Sequence, residues 1–298
     1  MPRRFATLDV FTDTALAGNP LAVVLDSDGL DAAAMQAIAR EFNLSETVFV
    51  LPPREPRHRA SLRIFTPARE LPFAGHPTVG TAVLLALRDR DAGRADAVMF
   101  GLEETIGVVP CLVETGAGCG RARFKIPVLP EYGGEGPEPA AVAAALGLEP
   151  GDIGFGTHRP SRHAAGPAFT FVPVASRAKL DAARLDSAGF AALGDESALY
   201  LYASDPEGLG HRYQARMFAP HLGVAEDPAT GSAAAAFSGV MMQFVVLGDG
   251  SHDVLIRQGI AMGRPSEIAL QITIEAGALQ SVEIGGSAVL VSEGTLLV

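Results

Sequence analysis

Two cysteines and two lysines are all that the 298 residues hold of either type, and both scarcities exclude functions. Cys111 and Cys119 are too few for a disulfide framework and too far apart for a zinc-binding CxxC pair. Their setting, PCLVETGAGCGR, reads as two strands around a glycine-rich turn, across which the cysteines could face each other. Lys179, in SRAKLDAARL, reads as solvated, which argues against a pyridoxal phosphate Schiff base. Positive charge is short overall: 23 Lys and Arg stand against 34 Asp and Glu, a net charge of −11. That is the wrong sign for a protein that grips a nucleic-acid backbone, so no nucleic acid is expected as a partner.

Long apolar runs are missing too. The most apolar stretch, AAAAFSGVMMQFVVLG at 233–248, is broken by Ser238, Gly239 and Gln243 and is shorter than a bilayer span. The N-terminus carries Asp9 and Asp13 where a signal peptide needs an apolar core, so a cytoplasmic protein without a membrane partner is expected. Neither GAGCGR nor GFGTHR completes a GxGxxG fingerprint, and there is no Walker A motif and no GxSxG elbow. The seven histidines (58, 76, 158, 163, 211, 221 and 252) form no HExxH-type pair, so no metal is expected.

What remains is an ordinary globular composition, 48% hydrophobic and 19% charged, long enough for two domains of ~150 residues. RRFATLDVFT and LAVVLD read as strands on either side of the Gly18-Asn19-Pro20 turn. DAAAMQAIAREFN (31–43) is an amphipathic helix with Asp31 as its cap. Short β-rich runs stopped by proline follow, then a helix at 77–88 and further strands. The stretch LPEYGGEGPEP (129–139) reads as a linker, dividing the chain into 1–128 and 129–298. The second part repeats the style and places a long apolar helix at 228–247. Strands outnumber helices, and each half has one buried-looking helix behind a glycine-rich turn.

That repetition is visible in residues. IFTPARELPFAGHPTVGTAVLL and MFAPHLGVAEDPATGSAAAA share Phe-x-Pro and then Pro-x-x-Gly-[Thr/Ser]-Ala. The prolines (77 and 228) and the glycines (80 and 231) are each 151 apart (228 − 77, 231 − 80), about half the chain, as a tandem duplication requires. The first turn of a helix carries unpaired N–H groups and partial positive charge, and glycine there lets an anion approach the backbone. With Pro77 and Pro228 at the first helical position, His76 and Asp227 project at the two entrances. Each residue also has a bland reading. Asp227 could be an ordinary N-cap, His76 a packed histidine, Gly80 and Gly231 allowances for close packing, Glu46 a solvated carboxylate and Asn19 a turn residue.

FTDTALAGNPLAVVLD, NLSETVFV, RIFTPARELPFAGHPTVGTA, EDPATGSA and QGIAMGRPSEI, in that order and spacing, resemble the PhzF family, the phenazine-biosynthesis isomerase and its relatives. The resemblance runs from about residue 5 to the C-terminus. It implies an α+β fold of the diaminopimelate epimerase type: two pseudosymmetric barrel-like lobes, each a mostly antiparallel sheet around a central helix, with the site between them. In such folds the last strand returns to the first lobe. The resemblance assigns Glu46 as the catalytic glutamate, His76 and Asp227 as polar partners of the substrate, and Ser232 as a binding serine. Asn19, Gly75 and Gly231 fit the substrate-contacting turns, and Gln258 and Gly259 belong to a motif near the site. A homodimer is implied as well.

The chemistry expected from these residues needs no cofactor. A carboxylate enclosed among apolar groups resists ionisation, so its pKa should rise towards neutrality. Glu46 is expected to remove a proton from an activated carbon of a small carboxylate-bearing metabolite and return it to another. Epimerases of this fold place a cysteine at each of two equivalent turns, and the corresponding places here are Ala74 and Asp227. A one-sided acid/base isomerase therefore fits better than a two-base racemase. A non-catalytic relative that kept the cleft is the remaining alternative. Substrate specificity is expected from loops such as 154–168.

Overall fold

The computed structural model describes residues 2–94, 97–194, 198–207, 210–222 and 224–298. Its chain forms two compact units, one of Met1–Pro127 with Ile284–Val298 and one of Val128–Glu283.

In the first unit, β1 (Arg3–Val10) and β2 (Asn19–Val24) form a hairpin, with Phe5 opposite Val24 and Val10 opposite Asn19. Helix α1 (Ala32–Phe42) starts where Asp31 accepts the Ala34 amide proton at 2.8 Å, and it buries Met35, Ile38 and Ala39. It stops at Asn43, whose left-handed backbone (φ 51°) turns the chain into β3 (Glu46–Leu51), parallel to β2. Strand β4 (Ala60–Phe65) returns antiparallel to β3, and the two-residue β5 (Glu70–Leu71) lies on β4. Helix α2 (Gly75–Asp91) leads to β6 (Ala97–Glu104), parallel to β4. A meander of β6, β7 (Gly107–Thr115) and β8 (Cys119–Lys125) completes the run.

The last strand closes the circle. It pairs with β1, from Arg3 opposite Leu296 to Val10 opposite Ala288, and also with β8. These strands form a closed barrel around α2, which is buried on every side from Gly75 to Leu87 and touches β1, β2, β3, β6, β7 and β8. An all-round buried helix has no polar face to show, which is why its sequence lacks amphipathic periodicity. At Gly80 the helix meets the sheet so closely that a Cβ would lie 2.6 Å from Leu21 and 2.7 Å from Val10.

The second unit opens with β9 (Glu131–Glu135) and α3 (Pro139–Leu146), followed by β10 (Ser161–Ala164) and β11 (Ala168–Pro173). Short helices α4 (Arg177–Ala182) and α5 (Ser187–Ala192) precede β12 (Ala198–Ser204) and β13 (His211–Ala219). Then come β14 (Val224–Asp227), α6 (Gly231–Phe244), β15 (Gly250–Gln258), β16 (Ser266–Glu275) and β17 (Ala278–Leu296). Among the described pairings of β9 to β16, those of β11 with β12 and of β13 with β15 are parallel and the others antiparallel. Helix α6 takes the centre: Phe237 packs against Tyr213 at 4.8 Å and Tyr202 at 4.9 Å between ring centroids. A separate core of Val142, Leu146, Val172, Leu180, Phe190, Leu199, Leu201 and Phe218 holds α3, α4 and α5 to the sheet.

Several expectations are corrected. Helix α2 starts at Gly75, so Pro77 is its third residue and His76 lies within the first turn. Helix α6 starts at Gly231 and ends at Phe244, leaving Pro228 outside it. The repeated motif therefore does not mark equivalent helix starts: Gly80 lies inside α2, where it serves close packing, while Gly231 heads α6. The proposed linker contains β9, paired with β10, because Tyr132 and the following glycines run beside Arg162 and His163 across a register shift. Strand β10 likewise occupies part of the 154–168 segment. Cys111 stands opposite Phe124, so the two cysteines, both free, do not face each other. Among the described residues no helix is long and apolar enough to cross a membrane. No group of three or more His, Cys, Asp or Glu among them could hold a metal.

Candidate active site

Glu46 opens β3 and Asn19 opens β2, and these strands run parallel with Leu21 beside Glu46. The register puts both polar residues at one end of the barrel. His76 reaches the same end from the first turn of α2, with Nε2 3.4 Å from Glu46 Oε2. The Glu46 side chain is 17% exposed and that of His76 only 6%. Burial alone pushes the imidazole down to about 3, so His76 is neutral at physiological pH. The contact is consequently not an ion pair. Nε2 is itself buried and has no hydrogen-bond partner among the described residues.

The start of α2 has no side-chain cap. Its cap residue, Ala74, has no side chain to cap with, and the first intrahelical bond is from Thr78 N to Ala74 O. Gly75 and His76 thus present N–H groups that the helix itself cannot satisfy. Around Glu46 the first unit assembles a carboxylate, a neutral imidazole and a helix start without a side-chain cap.

The second unit carries Asp227, Gly231 and Ser232. Asp227 ends β14 and is 7% exposed. It is not the cap of α6, since Thr230 takes that position and donates its hydroxyl to Asp227 Oδ2 at 2.6 Å. Gly231 and Ser232 are the first two residues of α6, whose first intrahelical bond runs from Ala234 N to Thr230 O. Here too no side chain caps the helix.

Sequence reasoning left Gln258 without a role, and the structure gives it one. Its amide nitrogen donates to Asp227 O at 2.8 Å and Thr230 Oγ1 at 3.0 Å. Its carbonyl accepts from Thr230 N and Tyr200 OH, both at 3.2 Å. Fully buried, it clamps the segment from Asp227 to Thr230. Gly259 follows with φ 75°, where a Cβ would lie 2.3 Å from Arg264 O and 2.7 Å from Pro228 O. The QG pair in QGIAMGRPSEI was the available signal, but its partners are 28 to 58 residues away in sequence.

Residues 8–294 match the family model described as PhzC-PhzF, phenazine biosynthesis-like protein. The chain is 48% identical to an uncharacterized isomerase of Mesorhizobium japonicum, with 99% of each chain covered. It is 36% identical, over 98% of each, to the trans-2,3-dihydro-3-hydroxyanthranilate isomerase of Pseudomonas aeruginosa. A PhzF-family phenazine biosynthesis protein of Bacillus anthracis shares the fold, with a TM-score of 0.87 at 24% identity and all of both chains covered. With its barrel-and-helix units and these relatives, the chain belongs to the phenazine biosynthesis-like (PhzF) family and is an isomerase.

Proposed function

We propose that the protein moves a proton between two carbons of a small carboxylate-bearing metabolite, with Glu46 as the acid/base and no cofactor. The observation that supports this most is the 3.4 Å approach of Glu46 to a buried, neutral His76. A charged partner would lock the carboxylate in an ion pair and weaken it as a base. A neutral imidazole imposes no such cost.

The step balances within the substrate. Glu46 takes a proton from an sp³ carbon, and the electron pair left behind spreads through an adjoining conjugated system. The resulting carboxylic acid, whose proton can exchange with solvent, delivers a proton to another carbon of that system. The amides at the start of α2 suit the substrate's carboxylate, and His76 suits the charge that develops during transfer. Asn19, Gly75, Gly231, Ser232 and Asp227 are assigned to substrate contacts on the family resemblance. The Pseudomonas aeruginosa relative is named for trans-2,3-dihydro-3-hydroxyanthranilate, a carboxylate on a partly reduced ring. That compound is the first candidate here.

Two-base racemisation, the second reading, asks for an acid/base group at both turns. The residue at the first turn is Ala74, which has none. The test is Glu46→Gln, which keeps the size of the side chain but cannot take up a proton. Turnover and solvent-deuterium incorporation should fall by about 10²–10⁴-fold with the fold intact. Near-normal turnover of the folded variant would exclude the assignment.

A further inference from the structure

Glu104 ends β6 and is 2% exposed, yet the chemistry assigned above makes no use of it. Its Oε1 lies 2.7 Å from the hydroxyl of Thr78, two residues beyond His76 in α2. The same hydroxyl lies 2.8 Å from the Ala74 carbonyl. A threonine hydroxyl has one proton and cannot donate to both. If Glu104 were ionised, one of these short oxygen–oxygen contacts would hold no proton. If Glu104 is the neutral acid, it donates to Thr78 and Thr78 donates to Ala74, and both contacts become hydrogen bonds. Glu104 Oε2 is buried without a partner among the described residues, which a neutral acid tolerates far better than an anion.

Among the described residues the surroundings offer no compensating cation. From β7 the titratable neighbour is Cys111, whose thiol is itself pushed up, by burial first and then by Glu104. From α2 the nearest titratable group in sequence is His76, held neutral, and the charged residues of that helix lie at its far end. On β8, Arg121, Arg123 and Lys125 alternate outward from buried Ala122 and Phe124. Glu103, the next residue on β6, points the other way to Arg54 and His58, and Arg63 of β4 is taken by Glu70. Burial holds the Glu104 carboxyl up at about 8, against the Thr78 hydrogen bond, which lowers it.

We propose that Glu104 is a positioning residue kept as a neutral acid beneath the start of α2, and that its ionisation weakens capture of the substrate's carboxylate there. The effect on capture rests on the functional reading above; the protonation state does not. An ionised Glu104 would set a negative charge against the helix end that is to receive another. It would also free Thr78 to swing its only proton away from Ala74.

Infrared difference spectra of the full chain, titrated from about pH 6 to about pH 10, test the first half. A protonated-carboxyl band should be present at neutral pH, fade with a midpoint of about 8 and be missing from Glu104→Gln. Thr78→Val, which removes the shared hydroxyl, should shift the frequency of that band without abolishing it. Anthranilate, a stable aromatic carboxylate, probes the second half by calorimetry and needs no turnover. Its Kd should weaken about tenfold across the titration in the wild type and stay flat in Glu104→Gln. A missing Glu104-dependent band, no anthranilate binding, or the same pH dependence in both proteins overturns the proposal. Failure of Glu46→Gln to lose turnover would instead sink the functional reading and leave the infrared result standing.

Discussion

His76 and Glu104 are both buried and both uncharged at neutral pH, but they load the fold in opposite directions. The histidine falls from 6.5 to about 3 on burial, so its contribution is intact above pH 6.5 and is lost as pH falls towards 3. The glutamate rises from 4.5 to about 8, so its contribution is intact below pH 4.5 and is lost as pH climbs to 8. Each limb has a slope of about 1.4 kcal/mol per pH unit, and the two cancel where they overlap, between 4.5 and 6.5. Denaturant midpoints should accordingly decline above pH 6.5, and Glu104→Gln should remove that alkaline decline. A variant that still declines with the same slope would show that another group titrates there. The types and order of these residues could be read from the motifs, but their charge states could not. A histidine in AGHP is equally consistent with solvent; only the barrel around it makes the ring neutral.

Among the elements, the two central helices were the most legible and their starts the least. Pro77 suggested a first helical position, yet α2 begins two residues earlier, at Gly75, directly after the extended backbone of Ala74. Pro228 suggested the same for α6, but the Gln258 bonds to Asp227 O and Thr230 hold that segment extended until Gly231. Replacing Gln258 with Leu would strand buried groups at Asp227, Thr230 and Tyr200, at a cost of roughly 2–4 kcal/mol. Thermal unfolding of that variant should show a clear loss. Unchanged stability would mean that water replaces the clamp. Gly80 makes the opposite point. Alanine there gains about 1 kcal/mol of helix propensity but must push aside Leu21 and Val10, so Gly80→Ala should be net destabilising by about 1 kcal/mol. A stabilised variant would mean that the barrel wall yields to a methyl group.

For the molecule as a whole, the decisive feature is the return of residues 284–298 to the first unit. Without them β1 and β8 lose a partner and the barrel around α2 is open. Open edges and a bared apolar helix favour aggregation over folding. A chain ending at residue 283 should lose amide protection throughout β1, β2 and α2 in hydrogen exchange. Retained protection there would show that the barrel closes without its last strand. A stretch rich in Gly and Pro such as 129–139 marks a local change of direction, whereas closure depends on pairing between residues as distant as Arg3 and Leu296.

By itself the sequence determined the family, the α+β class and the alternation of strands, because motifs and periods are local properties of a chain. Tertiary structure alone decided that His76 is neutral, that Gln258 is a clamp and that Glu104 lies buried against Thr78. Each of those depends on desolvation or on a partner tens of residues away, and neither leaves a trace in local pattern.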